Sequence, residues 1–207
     1  MDLTNFYNWR YATKKFDTDK TISNKNMNIL KESIRLSPTS YGLQLFKVFI
    51  IENKELKRKL REVSFNQSQI SDCAALFVFC NYTSVSPGDI DDFIQLKSST
   101  QELEFSKLKG YGEFLKSTLL KKSKDEVSIW TANQVYIALG NLMTSCAALE
   151  IDSCPIEGFQ AEKYNNILGL EGMNSAVVAS VGYRSTDDFS QNEKKVRKNL
   201  ISIFEHK

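Results

Sequence analysis

With 207 residues, 42% of them apolar and 25% charged, the chain is long and apolar enough to bury one core, which excludes intrinsic disorder. Its 27 basic side chains are nearly matched by 25 acidic ones, so the charge balance supports neither a nucleic-acid footprint nor a polybasic membrane anchor. The single histidine, His206, is the penultimate residue, which excludes Ser-His-Asp and Cys-His catalysis and every multi-histidine metal site.

The segment Met1 to Asn5 has no basic stretch leading into an apolar run, and nowhere do 18 apolar residues follow one another, so the expected location is cytoplasmic, with no membrane partner. A first helix is predicted over about Leu3 to Tyr11. It leads into the basic stretch Arg10 to Asp17. Ser23 or Asn24 caps a second helix with Met27, Leu30 and Ile34 on one face, and Pro38 stops it in a hydroxyl-rich turn.

Leu45 to Ile51 reads as a strand, and Asn53 caps a charged helix carrying Leu56, Leu60 and Val63. Ala74 to Cys80 is apolar throughout, the pattern of a central strand covered on both faces. Residues 87–124 read as two helices with a mobile joint at Gly110-Tyr111-Gly112, a natural place for a lid.

The strongest helical signal runs from Trp130 to Leu149. Ala132, Val135, Tyr136, Leu139, Leu142, Met143 and Cys146 give it the spacing of a buried face. The stretch Cys154 to Phe159 follows, where Pro155 and Gly158 predict an irregular loop with unused amides, or simply a helix-to-strand connector. A short helix over Ala161 to Leu168 and a strand over Ser175 to Tyr183 complete the core. The tail is basic up to Asn199, and its apolar Leu200, Ile201, Ile203 and Phe204 predict a buried terminal strand. Cys73, Cys80, Cys146 and Cys154 show no C-x-x-C spacing and read as reduced core residues, not as metal ligands.

No glycine-rich phosphate cradle is present, so a nucleotide must be held by side chains. Arg10 and Lys14 are four residues apart and converge on one anion if they share a helix end. Lys195 and Arg197 are two apart and point the same way on an extended segment. Each pair taken alone reads equally as a solvated surface pair.

Five motifs follow one another: Arg10-x-Ala12-x-Lys14-x-Phe16-Asp17, Ser37-Pro38-Thr39-Ser40-x-Gly42-x-Gln44, Asn66-Gln67-x-Gln69-Ile70-x-Asp72, Pro155-Ile156-Glu157-Gly158-Phe159 and Lys195-x-Arg197. Together they cover nearly the whole chain. In this order they resemble the FMN-dependent nitroreductase family, most closely its oxygen-insensitive NAD(P)H nitroreductases and dihydropteridine reductases.

The resemblance implies one α+β domain over residues 1–207, a three-layer α/β/α fold with a central mixed sheet flanked by helices. It implies an obligate homodimer with two FMN at the interface and a C-terminal strand exchanged between subunits. Arg10, Tyr11, Ala12, Lys14, Lys195 and Arg197 then hold the phosphate and the pyrimidine edge of the flavin. Pro38, Thr39 and Ser40 come from the partner subunit. Asn66 and Gln69 lie near the ring, and the Pro155, Ile156, Glu157 and Gly158 backbone passes over it with an amide directed at N5. Tyr41, Phe105 and Phe114 face the substrate. Two positions depart from the family pattern, Ala12 in place of a serine and Gln69 in place of a lysine.

The implied activity is reduction of a nitroaromatic, quinone or pterin-like acceptor by NADH or NADPH, in ping-pong order through flavin N5, with no catalytic side chain. The same motifs leave open other flavin chemistry, such as flavin reduction or reductive dehalogenation, and a flavin-binding protein without turnover. Small residues on the central helix, Ala138, Gly140, Ala147 and Ala148, suit a helix-on-helix dimer core or the chain's own core.

Overall fold

A computed structural model describes residues 2–207. Its centre is a four-stranded sheet in the order β1-β2-β4-β3, built from β1 (Phe46–Ile51), β2 (Ala75–Tyr82), β3 (Asp152–Ile156) and β4 (Met173–Gly182). All three strand pairs are antiparallel, where a mixed sheet is expected. The one parallel pairing among the described residues is the isolated bridge between Ala12 and Ser153.

Strand β2 explains the layering. Its side chains alternate, and both sets are buried, so helices must cover both faces of the sheet. Phe77 and Phe79 pack with Leu30 and Ile34 of α2 (Asn24–Arg35) and with Val135, Leu139 and Leu142 of α7 (Lys124–Ala148). Leu76, Val78 and Cys80 pack with Leu60 of α3 (Lys54–Glu62), Ile70 of α4 (Ser68–Asp72) and Tyr164 of α8 (Ala161–Leu168). A third cluster joins Leu43 and Leu45 to α5 (Pro87–Gln101) and α6 (Phe105–Leu119).

Local chemistry sets the helix starts. Ser23 accepts from the Asn26 amide and Asn53 from the Leu56 amide, as the capping pattern predicts. Ser86 with Asp89, and Ser123 with Glu126, form reciprocal capping boxes for α5 and α7. Helix α1 (Leu3–Trp9) ends at Arg10, which is extended and starts the run toward the sheet.

Four sequence expectations are corrected. Cys154, Pro155 and Ile156 are not in a loop but in β3, an edge strand, which is where a residue lacking a ladder donor is tolerated. Gly110 and Gly112 lie inside α6, and the break falls at Glu102, which is left-handed. Tyr136 points out of α7, at 42% exposed, and of the four small residues Ala138 and Ala147 face the chain's own core. The tail forms a 3-10 turn over Leu200–Ser202 instead of a strand, and its apolar side chains are exposed in the single chain.

All four cysteines are buried and unpaired, and burial pushes the thiols of Cys73 and Cys80 up to about 11, so they behave as inert core residues. No described helix is long and apolar enough to cross a membrane.

Candidate active site

The two ends of the chain meet at a pocket of about 380 Å³ lined by Arg10, Lys14, Lys195 and Arg197, with Lys194 and the carboxylate residue Glu193 also on its wall. The extended segment after α1 delivers the first two. It is stitched down by the Ala12–Ser153 bridge, by the Asp17 amide on the Tyr183 carbonyl at 2.8 Å, and by the Ser185 amide on the Lys15 carbonyl at 3.0 Å. The Lys195 ammonium donates to the main-chain carbonyls of Tyr7 and Arg10, which pins the C-terminal pair against the first.

These cations have no carboxylate within 4 Å among the described residues, and Arg10 Nε is buried without a hydrogen-bond partner. Burial, then repulsion from Arg197, lowers the pKa of Arg10. Lys195 is lowered by burial and then by Arg10 and Arg197. Burial dominates both shifts, and mutual repulsion among these cations adds to it. A dianion such as a phosphate ester relieves that repulsion and can take the donor that Arg10 leaves unused.

From this pocket β3 runs along the sheet edge to the second part of the site. Between Ser153, beside Ala12, and Gly158 lie five residue steps, roughly 16 Å of extended chain. A ligand with a phosphate at one end and a flat ring at the other spans that distance. Past β3, the amides of Glu157 and Gly158 donate to no main-chain or side-chain acceptor among the described residues, whereas the next two are used. Phe159 closes on the Glu157 carbonyl and Gln160 on the Val63 carbonyl, both at 2.9 Å. The sequence reading expects unused amides between Pro155 and Gly158; Ile156 belongs instead to β3, and the unused amides are those of Glu157 and Gly158.

Side chains hold this corner from two sides. Gln67 Nε2 donates to the Gly158 carbonyl at 2.6 Å and to the Ser64 carbonyl at 3.0 Å. The Tyr136 hydroxyl donates to Glu157 Oε1 at 2.7 Å, and burial, with this contact, pushes the phenol up to about 12. Asn66, left-handed at φ 57°, accepts from Arg61 Nε at 2.9 Å, and Gln69 sits one turn further on in α4. The third motif and the fourth thus lie side by side.

Pro38, Thr39 and Ser40 do not line the cationic pocket. The turn is tied to α7 through its two serines, with the Ser40 amide on Gln134 Oε1 at 3.0 Å and Asn141 donating to Ser37 at 2.8 Å, while Pro38 is exposed. Of the three substrate candidates, two come together. Tyr41 meets Phe114 and Trp130 edge-on, each at 6.4 Å between ring centroids, and Tyr111 stacks on Phe114. Phe105 opens α6, nine residues before Phe114 and roughly 14 Å away along the helix, so it stands apart from that cluster.

Sequence reasoning missed Gln67, Tyr136, Trp130 and Asp188. Gln67 lies inside a quoted motif without a role, and Tyr136 sits on a helical face that reads as core. Nothing in spacing alone distinguishes Trp130 or Asp188.

The sequence matches the family model described as the nitroreductase family over residues 7–183. It is 34% identical over 214 residues to a protein of Staphylococcus saprophyticus that carries the name NAD(P)H nitroreductase, covering 96% of this chain and 94% of that one. Among solved structures, a nitroreductase from Bacillus subtilis has the same fold, with a TM-score of 0.88 at 19% identity over 99% of this chain and 98% of the other. A nitroreductase from Exiguobacterium sibiricum in complex with FMN superposes with a TM-score of 0.85 at 18% identity, over 100% and 98% of the two chains.

Proposed function

The chain belongs to the nitroreductase family, and on that premise we propose that it is an FMN-dependent NAD(P)H oxidoreductase reducing nitroaromatic, quinone or pterin-like acceptors. The observation that carries this reading is the four-cation pocket with its unused Arg10 donor, which fits the phosphate of FMN. The relative from Exiguobacterium, in complex with FMN, supports the choice of flavin.

Arg10, Lys14, Lys195 and Arg197 hold the phosphate, with Tyr11 and Ala12 lining the same wall. Asn66 and Gln69 would flank the ring, and the Pro155 to Gly158 backbone would offer it the two unused amides of Glu157 and Gly158. When bound, FMN supplies a two-electron relay that takes hydride from the nicotinamide and gives it to the acceptor in ping-pong order. Amide donors and nearby cations favour the more negative, reduced form of the ring, so the protein tunes the relay without a nucleophile of its own. Tyr41, Phe114 and Trp130 offer edges and faces on which an aromatic acceptor packs.

The working unit in this reading is a homodimer, with Pro38, Thr39 and Ser40 reaching the partner's flavin. Ile129 and Ile137 on the outer side of α7, at 66% and 46% exposed, and the apolar tail support it, because a lone chain leaves all of them in water.

Arg197→Ala tests the proposal, since losing one charge-assisted bond to a dianion costs roughly 1.5 to 3 kcal/mol, or more than tenfold in affinity. FMN affinity by flavin fluorescence is expected to fall accordingly, and an unchanged affinity removes Arg197 from the site. Anaerobic bleaching of the yellow protein by NADH and by NADPH, followed by reoxidation with each acceptor class, tests the activity itself. Flavin that stays bound and unbleached overturns the enzyme reading.

A further inference from the structure

Asp188 stands outside every motif that suggested the site, yet it is 2% exposed and takes hydrogen bonds from both ends of the chain. Its Oδ2 accepts from the Tyr11 hydroxyl at 2.8 Å, the Lys14 amide at 2.8 Å and the Lys15 amide at 3.1 Å. Its Oδ1 accepts from the Ser190 amide at 3.2 Å. No lysine or arginine side chain pairs with it among the described residues, so its charge is balanced by these donors alone.

The sequence separation makes this more than local packing. The donors from the N-terminal arm are Tyr11, next to Arg10, and the amides of Lys14 and Lys15, and Ser190 opens the arm that continues to Lys195 and Arg197. Each arm carries two of the four pocket cations, and neither is a long helix or a sheet strand: one is an extended segment, the other a 3-10 turn over Phe189–Asn192 followed by open chain. Tyr11 is fixed further by its ring, which lies 4.7 Å from the Arg184 guanidinium, itself ion-paired to Asp152 at 2.6 Å. Four like charges repel, and the Lys195 contacts with the Tyr7 and Arg10 carbonyls bring one of them across. A buried acceptor bonded to both arms adds attraction without occupying the pocket, because its oxygens face amides and a phenol instead of the ammonium groups.

We infer that Asp188 is the positioning residue that brings the Arg10–Lys14 arm and the Lys195–Arg197 arm onto one phosphate. This rests on the reading of the pocket as the FMN phosphate site. Asp188 touches no part of the flavin in this arrangement; it acts through where it places four cations.

The test compares FMN with riboflavin, which has the same ring and lacks the phosphate. Full-length wild type and Asp188→Asn are titrated with each flavin by fluorescence quenching. Wild type should prefer FMN. Asparagine keeps the shape but turns two donor hydrogens toward groups that are themselves donors, so the variant should lose about tenfold or more of that preference while its riboflavin affinity stays unchanged.

Equal loss for both flavins overturns the inference, because it describes general loosening of the fold. An intact FMN preference in the variant overturns it as well and leaves the phosphate reading standing. No preference in wild type overturns the phosphate reading and the inference together. Asp188→Glu, which keeps the carboxylate but displaces it by one methylene from its donors, covers the case in which Asp188→Asn does not fold. Its FMN preference should fall a few-fold with riboflavin unchanged, and an unchanged preference there is equally decisive against the inference.

Discussion

Gln67 Nε2 and the main-chain oxygen of Gly158 are 2.6 Å apart, a side-chain bond across 91 residues that ties the loop before α4 to the loop after β3. A Cβ added at Gly158 would lie 3.3 Å from the same nitrogen, so the two loops are packed as well as bonded. The Gly158 carbonyl shares its peptide plane with the Phe159 amide, so this bond fixes the plane directly after the two unused amides. Gln67→Ala should cost about 0.5 to 1.5 kcal/mol in stability and free that plane to rotate. The checks are the thermal unfolding midpoint and the absorption spectrum and midpoint potential of bound flavin. A lowered midpoint of unfolding with an unmoved potential would show that the bond serves only the fold.

A second expectation follows from the charge of Asp188. Burial raises its pKa, but the Lys14 and Lys15 amides and the Tyr11 hydroxyl outweigh it, so the carboxyl ends below its ordinary value of 3.8. A folded pKa below the unfolded one means stability that is present above about pH 4 and is lost as pH falls through the folded value. Acid should thus release flavin and loosen the N-terminal arm together. Measured by flavin release against pH, wild type should hold its flavin down to about pH 4 and Asp188→Asn should show a shallower acid limb. Coincident curves would show that some other carboxylate governs acid release.

The parts of this molecule that were legible in its sequence are those governed by neighbours in the chain. Ser23 and Asn53 cap helices because their hydroxyl or amide oxygen reaches an amide three residues on, and β2 is legible because both of its faces are apolar. Gly110 and Gly112 mislead, since the helix is held by packing. Gly112 is buried, and a Cβ there would lie 3.4 Å from Ile94, so a small residue is needed for α6 to approach α5. Pro155 misleads similarly, because only the sheet order shows that its strand is an edge. The cation pocket was half legible: its four residues could be named, but their meeting depends on Asp188, 174 residues from Lys14 in sequence.

The aromatic cluster gives a contrast between two residues of one helix. Phe114 meets Tyr41 and Tyr111, while Phe105 does not reach them. Aromatic contacts of this kind are worth about 0.5 to 1.5 kcal/mol beyond simple burial, a few-fold to tenfold in affinity. Phe114→Ala should raise KM for a nitroaromatic acceptor by that factor and leave flavin reduction by the nicotinamide unchanged. Phe105→Ala should alter neither. Steady-state kinetics with the acceptor varied, beside stopped-flow bleaching, separates the two half-reactions, and an equal effect of both substitutions would move the acceptor away from Tyr41.

The tail sets the single chain against its proposed assembly. Leu200, Ile201, Ile203 and Phe204 are 74%, 89%, 58% and 63% exposed, although burying each is worth roughly 1.5 to 3 kcal/mol. A surface exists that could take them. The outer edge of the sheet carries a groove of about 510 Å³ lined by Phe46, Val48 and Ile50 of β1 with Ile34 of α2, and no strand pairs with that edge in the single chain. Within one chain the tail stays in solvent, so a second copy is the natural donor of a strand to this edge. Deleting residues 199–207 should therefore weaken the dimer, because it removes four apolar side chains from the interface, and should lower flavin content, because Lys195 and Arg197 lose the anchor beyond them. Light scattering across nanomolar to micromolar protein, with flavin content read by absorbance on the same samples, follows both effects at once. A truncated protein that keeps twice the chain mass and its full flavin would assign the groove to another occupant and leave the cation pocket independent of the tail.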